Sequence, residues 1–222
     1  MMIRIAPIVE AEEDEGPRGR YRKTAATRAR ILDAALEVFG EQGFDTGSLR
    51  EIAERAGVSQ AGLLHHYRNK VALLSAVLER RDERASATVF TQARGVERLQ
   101  AVIEFARENA SIPFEIDLFA VLSAEATRAE HPANAYMRRR YSWVSEIMES
   151  TLRETAEEGY LHPEADPKEV ASQFIALWDG LQIQWLLRVN DVNIADRLEC
   201  FIDLYLVRPL ADLVRAQETV GV

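Results

Sequence analysis

The residue spacing between positions 48 and 67 constrains the fold of this 222-residue chain more than any other feature. Ala53, Gly57 and Leu63 are separated by four and then six residues, which is the spacing of two short helices joined by a tight turn. A small residue at Ala53 lets the helices approach closely, and Gly57 can adopt the left-handed backbone of such a turn without a Cβ penalty. Val58 and Leu63 would bury the later of these two helices, which is the third of the chain, against the first. The segment therefore predicts a helix-turn-helix.

Helical periodicity dominates the rest of the chain, so we predict an all-α fold. A first helix carries apolar residues at helical spacing and ends at Gly43, and Ser48 and Glu51 fit a capping box at the start of the second. Pro209 should bend or break the last helix. The predicted helices span about 24–42, 49–56, 59–67, 70–93, 96–110, 113–130, 133–158, 167–189 and 194–215.

The net charge of −9 conceals a basic segment. Residues 18–70 contain ten Lys and Arg against six Asp and Glu, a balance of +4, whereas residues 1–17 carry −4 and residues 71–222 carry −9. Contact with DNA depends on the charge of the local surface and not on that of the whole chain. The helix-turn-helix lies within this basic segment, whose positive charge suits it to contact with DNA.

The third helix presents a polar face that can read bases in the major groove. Glutamine can pair with adenine through two hydrogen bonds, and small apolar groups can contact the thymine methyl. His65, His66 and Lys70 are placed to donate to phosphates or base edges. The residues expected at the exposed face are Gln60, Ala61, Leu64, His65 and His66.

A longer pattern surrounds this motif: TRARILDAA and FGEQGF within residues 27–44, SLREIAERAGVS in residues 48–59 and LLHHYRNK in residues 63–70. Over about 50 contiguous residues it closely resembles the DNA-binding domain of TetR-type transcriptional regulators. The resemblance implies an all-α homodimer. Each chain would have a flexible arm (residues 1–22, acidic and then basic), a three-helix DNA-binding head (23–70) and a larger helical domain for ligand binding and dimerisation (71–222).

The resemblance also assigns DNA contacts. Leu64 stands where the family usually has a tyrosine that reaches a phosphate, and Ala61-Gly62 replaces glycine followed by a small hydroxyl residue. Tyr67 stands where phenylalanine is common and is expected in the core. Arg18, Arg20, Arg22 and Lys23 form a basic arm that can reach the backbone or minor groove, or can serve only as a solubilising tail. The expected DNA-binding residues are Arg22, Lys23, Thr46, Ser48, Ser59, Gln60, Ala61, Gly62, His65, His66 and Lys70.

Aromatic and apolar residues recur at helical spacing in the larger domain. Most such residues form the core, and some line a ligand cavity, because cavities between helices are mainly apolar with a few polar groups. Gln182 shares a face with Trp178 and Trp185 and needs a hydrogen-bond partner if it is buried. The candidate pocket residues are Phe105, Phe114, Leu118, Phe119, Leu122, Trp143, Ile147, Trp178, Gln182 and Trp185.

The last two long helices carry a second apolar set. The resemblance assigns them to a four-helix dimer interface, and the alternative is a hairpin buried within one chain. Cys200 is expected to be a small buried residue there. The candidate interface residues are Phe174, Leu177, Leu181, Leu198, Phe201, Ile202 and Tyr205.

Together these features predict a ligand-responsive, dimeric DNA-binding regulator, most simply a repressor that a small molecule releases from a palindromic operator. Two alternatives remain: a DNA-binding protein without a ligand, or an activator; and an all-α enzyme or interaction module whose head binds no specific operator. No enzyme motif is present, and adjacent His65 and His66 point about 100° apart on a helix. We therefore expect no catalysis, metal or cofactor. Without a signal peptide or membrane span, we expect a cytoplasmic location.

Overall fold

The computed structural model describes residues 18–89, 93–189 and 191–220, with side chains at 24–87, 93–189 and 191–216. These residues form ten α-helices and no β-strand, apart from one isolated bridge between Leu161 and Leu206. The prediction of an all-α fold is confirmed. The helices are α1 (Arg18–Thr46), α2 (Leu49–Arg55), α3 (Gln60–His66), α4 (Lys70–Val89), α5 (Gly95–Asn109), α6 (Pro113–Glu125), α7 (Asn134–Glu157), α8 (Pro167–Leu186), α9 (Ile194–Asp203) and α10 (Leu210–Val220).

The described residues divide into two compact units. The first contains residues 18–82 and 114–139, and the second contains residues 83–113 and 140–220 apart from their undescribed positions. The first unit therefore combines the helix-turn-helix with the start of α4, nearly all of α6 and the beginning of α7. The segment that contains α6 is far from the helix-turn-helix in sequence but belongs to the same compact unit.

Helix α1 forms the centre of the first unit. Its predicted apolar stripe is buried, with Ile31, Val38 and Phe39 completely so. The helix begins at Arg18 and not at residue 24, because the Arg and Lys residues that precede the apolar stripe have high helix propensity. Five residues of the predicted flexible arm are thus helical, and residues 1–17 lie outside the described residues. Gly43, at φ 77° and ψ 173°, interrupts α1 where its end was predicted.

Helix α6 packs directly against α1. At Gly40, a Cβ atom would lie 3.1 Å from both the Asp117 Cβ and the Phe114 carbonyl oxygen. Glycine at this position therefore lets the two helices approach more closely than a larger residue would. Ile116 and Leu118 of α6 are both almost completely buried, which adds apolar burial to the contact.

The second unit is built from α5, α8, α9, α10 and most of α7. Its core includes Leu99, Ile103, Phe174, Leu198 and Ile202, which are at most 1% exposed. The predicted last helix is two helices: α9 ends at Asp203, and α10 begins directly after Pro209, which has no N–H for a continuous helix through this segment. The Asp203 carboxylate accepts the Leu210 N–H at 2.8 Å and caps the start of α10.

Candidate nucleic-acid interface, effector site and dimer surface

Local interactions hold α3 in place. Gly57 adopts φ 64°, as its predicted role in the turn requires. The Ser59 hydroxyl caps α3 by accepting the Gly62 N–H at 3.0 Å, while Leu63 is completely buried and Tyr67 is 5% exposed. One side of this short helix is therefore fixed to the core, and the opposite side is presented outward.

The outward side of α3 is the predicted one. Gln60, Ala61, Leu64 and His65 are exposed, and His66 is half-buried. Burial, followed by the positive charges of His65 and Arg28, lowers the pKa of His66 below its ordinary value. His66 is therefore neutral near pH 7, and its ring can contribute one hydrogen-bond donor but little charge.

The hydroxyl groups near the interface differ in what they can offer to a phosphate. Ser48 Oγ accepts the Glu51 N–H at 3.1 Å, so its own hydroxyl hydrogen is left to donate, as is that of Ser59. Thr46 instead donates its hydroxyl hydrogen to the Gln42 carbonyl. The geometry therefore favours Ser48 and Ser59 as phosphate donors over Thr46.

Only half of the predicted capping box forms at α2. Ser48 caps the helix, but the Glu51 carboxylate turns towards α1 and does not reach back to the Ser48 N–H. Glu51 accepts from Gln42 Nε2 at 2.9 Å and lies 2.6 Å from the Arg55 guanidinium, which also binds Glu41 at 2.7 Å. These hydrogen bonds lower the pKa values of Glu41 and Glu51 and raise that of Arg55. The Glu51 carboxylate therefore joins α1 to α2 and does not cap α2.

Lys70 is already engaged within the chain. Its ammonium donates to the Asp45 carbonyl at 3.1 Å and lies 4.7 Å from the centre of the Phe44 ring. Burial lowers the pKa of Lys70, although the Asp45 and Glu125 carboxylates oppose that shift. In this conformation Lys70 anchors the turn after α1, and only its remaining ammonium hydrogens can reach a phosphate.

A second anchor on the same turn was not predicted from the sequence. Glu125, at the end of α6, accepts the Phe44 N–H at 2.9 Å. The Phe44 ring also packs edge-on against His131, with the ring centres 5.3 Å apart. A Cβ atom at Gly43 would collide with the Glu125 carboxylate. The one sequence signal of this contact is Gly43, which indicated a helix end but not the residue that packs against it.

The basic arm is only partly described. Arg18, Arg20, Arg22 and Lys23 lie in the first turns of α1, and their side chains fall outside the described residues.

The predicted pocket residues are divided between the two units. Phe114, Leu118, Phe119 and Leu122 belong to the first unit, where Phe119 packs beneath the buried Arg81 guanidinium at 3.9 Å. The second unit holds the other six, of which Phe105 and Gln182 are buried and the rest half-buried: Phe105, Trp143, Ile147, Trp178, Gln182 and Trp185.

Gln182 is the polar member of this set. Its side chain is 5% exposed, and within the described part of the chain its carboxamide makes no hydrogen bond. On the same face of α8, Trp178 contacts the rings of Phe105 and Phe174, with centres 6.3 and 5.9 Å apart. The second unit therefore places a carboxamide that makes no hydrogen bond beside an aromatic cluster.

The predicted dimer residues are mostly internal. Phe174, Leu181, Leu198 and Ile202 are at most 5% exposed within one chain, so they cannot form a surface. Leu177, Phe201 and Tyr205 are half-buried. Burial of the first four is that of a hairpin within one chain, because α9 packs against both α8 and α5.

A different apolar set faces outward on α8 and α9. Ile183, Leu187 and Leu204 are 52%, 69% and 74% exposed, respectively. Ala176 and Gly180 continue the α8 stripe at helical spacing. Cys200, predicted to be buried at the dimer interface, is exposed on α9 within the single chain, because Leu198 and Ile202 point to the core and leave the intervening position outside. This outward stripe is hereafter the α8–α9 surface.

Comparison with known families agrees with this architecture. Residues 31–77 match the profile of bacterial regulatory proteins of the tetR family, and residues 95–210 match that of the C-terminal domain of BetI-type transcriptional repressors. The second match alone covers more than half of the chain. The chain belongs to the TetR family of transcriptional regulators. It is a DNA-binding protein with an N-terminal helix-turn-helix and a larger helical region.

Characterised relatives fit the same assignment. The transcriptional regulator UidR of Escherichia coli K12 is 28% identical over 156 residues, which are 70% of this chain and 79% of UidR. The transcriptional repressor KstR of Rhodococcus jostii is 27% identical over 182 residues, 81% of this chain and 82% of KstR.

Solved structures share the fold. SmeT of Stenotrophomonas maltophilia in complex with triclosan superposes with a TM-score of 0.68 at 22% identity, over 83% of this chain and 94% of SmeT. A transcriptional regulator of Saccharomonospora viridis in complex with choline superposes with a TM-score of 0.63 at 24% identity, over 82% of this chain and 98% of that regulator. Among the described residues, no helix is long and apolar enough to span a membrane.

Proposed function

We propose that this TetR-family regulator is a homodimeric repressor that a small molecule releases from a palindromic operator. The observation that carries the proposal is the geometry of α3, whose exposed Gln60, Ala61 and His65 project from a helix fixed by buried Leu63. Phosphates would be bound by the Ser48 and Ser59 hydroxyls, the basic arm and Lys70 after a local rearrangement. Such a protein acts in the cytoplasm, where a bacterial chromosome lies.

The α8–α9 surface supports dimerisation. Its exposed apolar side chains form a stripe that is costly to leave in water, and the small residues Ala176 and Gly180 let a partner helix approach closely. A second copy of the chain would cover the stripe by placing the same two helices across a two-fold axis. Two recognition helices related in this way would read half-sites about 34–36 Å apart, or a multiple of that distance.

The second unit supports effector binding. Gln182 is 5% exposed and lies on the same helix face as half-buried tryptophans; its carboxamide makes no hydrogen bond within the described residues, so a ligand can supply one. Relatives of similar fold bind triclosan and choline, so these two compounds are suitable first probes. A typical coupling of about 1–3 kcal/mol would weaken operator binding roughly 5–150-fold.

The decisive experiment is selection of DNA by the full-length chain from a random pool and from fragments of its own genomic neighbourhood. The proposal expects a two-fold symmetric sequence whose binding weakens as salt is raised. Enrichment of no sequence, together with binding that does not discriminate between fragments, would overturn it. That result would favour the reading in which the helical region carries the function.

A further inference from the structure

Leu64 is an exposed apolar residue in the middle of a polar surface. It is 38% exposed, on the same face of α3 as Gln60, Ala61 and His65. Among the described residues, the other large hydrophobic side chains with comparable exposure all belong to the second unit. Leu64 is thus the one large exposed hydrophobe that the described part of the helix-turn-helix unit presents to solvent.

The chemistry of the major groove limits what Leu64 can contact. The base edges there display hydrogen-bond donors and acceptors, which leucine cannot pair with, and one apolar group, the 5-methyl of thymine. A leucine placed against any other edge would remove a polar group from water without a hydrogen bond. Thymine is therefore the base that complements this side chain.

We propose that Leu64 contacts the methyl group of a thymine in each operator half-site and thereby selects an A·T pair at that position. The inference rests on the proposed function, since it needs an operator to read. Ala61 lies beside Leu64 on the helix and adds only a methyl group, so nothing larger separates Leu64 from a base edge on that side. The surrounding segment supplies the charge complement, because residues 18–70 carry a balance of +4.

The test removes one methyl group from the DNA. Each thymine of the selected operator is replaced in turn by deoxyuridine, which pairs identically but lacks the methyl, and affinity is measured at one fixed salt concentration. We expect one symmetric pair of positions at which uracil weakens binding by roughly fourfold per half-site, from the burial of one methyl group. At the remaining thymines, replacement is expected to have a smaller effect.

Two variants assign the effect to Leu64. Leu64→Ala should bind the thymine operator more weakly and show no further loss with uracil at the sensitive position. Leu64→Met, which keeps an apolar side chain of similar volume, should retain most of the uracil effect. Because Leu64 is exposed, both variants should keep the unfolding midpoint of the wild type, which a thermal melt would verify.

The possible failures are distinguishable. Selection that yields no preferred sequence overturns the proposed function itself. An operator whose affinity is insensitive to uracil at every thymine overturns the role of Leu64 while leaving the regulator intact. The same holds if the uracil effect persists at full size in Leu64→Ala. The measurement on the wild-type chain does not depend on the folding of any variant.

Discussion

The Glu125 carboxylate accepts the backbone N–H of Phe44 at 2.9 Å, although the two residues are 81 positions apart. This hydrogen bond ties the end of α6 to the turn that precedes α2. Thr46 and Ser48, both expected near DNA, follow this turn directly. The position of α6 is therefore coupled to the start of the helix-turn-helix.

Removing the Glu125 carboxylate should loosen this turn. We expect Glu125→Ala to lower the free energy of unfolding by about 1–3 kcal/mol, because the partly buried Phe44 N–H loses its acceptor. Glu125→Gln keeps an acceptor oxygen and should lose less. Chemical denaturation measures the stability, and hydrogen exchange of the Phe44 amide reports the bond itself.

The control for this change is Arg128→Ala, which removes the exposed ion pair between Arg128 and Asp45 on the same turn. Exposed pairs contribute little, so its stability should stay near that of the wild type. Unchanged exchange at Phe44 in Glu125→Ala would refute the proposed coupling.

Gly43 should tolerate alanine less well than another glycine with nearly the same φ. Gly43 has φ 77° and ψ 173°, a backbone region open essentially to glycine alone, and Gly159 has φ 79°, so alanine is unfavourable at both positions, by about 1–3 kcal/mol. At Gly43 the new Cβ also meets the Glu125 carboxylate, whereas at Gly159 it meets nothing within 4 Å. We expect Gly43→Ala to be the more destabilising in parallel urea titrations. Equal losses in the free energy of unfolding would show that the Glu125 contact does not contribute to the cost at Gly43.

A charge on the α8–α9 surface should separate the subunits. Ala176→Arg places a cation on the exposed stripe of α8, and Ala156→Arg makes the same change at an exposed position of α7. Sedimentation should give a dimer for the wild type and for Ala156→Arg, and a monomer with weakened operator binding for Ala176→Arg. A dimeric Ala176→Arg would place the interface on another surface.

The tryptophans should report effector binding directly. The chain has three, at positions 143, 178 and 185, and all belong to the candidate pocket. Any compound that releases the operator, with choline and triclosan tried first, should change their emission. Gln182→Leu removes the unpaired carboxamide. It should weaken binding of that compound roughly 5–150-fold, the equivalent of about 1–3 kcal/mol. An effector that leaves emission unchanged, or binds Gln182→Leu equally well, would contradict the assignment.

The parts of the fold that the sequence predicted are those encoded locally. The turn at Gly57, the cap at Ser59 and the break at Pro209 each depend on a few neighbouring residues, and the stripe of α1 depends on residues within two to three helical turns. The exposed face of α3 followed from the same periodicity, once Leu63 was assigned to the core.

The features that were not predicted depend on contacts between distant segments. The bond from Glu125 to Phe44 has no local signal, because a glutamate at a helix end is ordinary. Four of the seven predicted dimer residues, Phe174, Leu181, Leu198 and Ile202, are buried within the chain for a related reason. Periodicity finds the apolar stripe of α8 and α9, but it cannot distinguish a stripe that packs within the chain from one that packs against a partner.

The central claim is that α3 reads a specific operator, and the most direct test is the affinity of the double variant Gln60→Ala/His65→Ala for the selected sequence. His162→Ala serves as the control, since His162 is an exposed histidine in the turn between α7 and α8. We predict that the double variant loses at least about tenfold in specific affinity, while its dimerisation and its binding to unrelated DNA do not change. His162→Ala should bind as the wild type does. Unchanged operator affinity in the double variant would contradict the assignment of α3 as the reading helix.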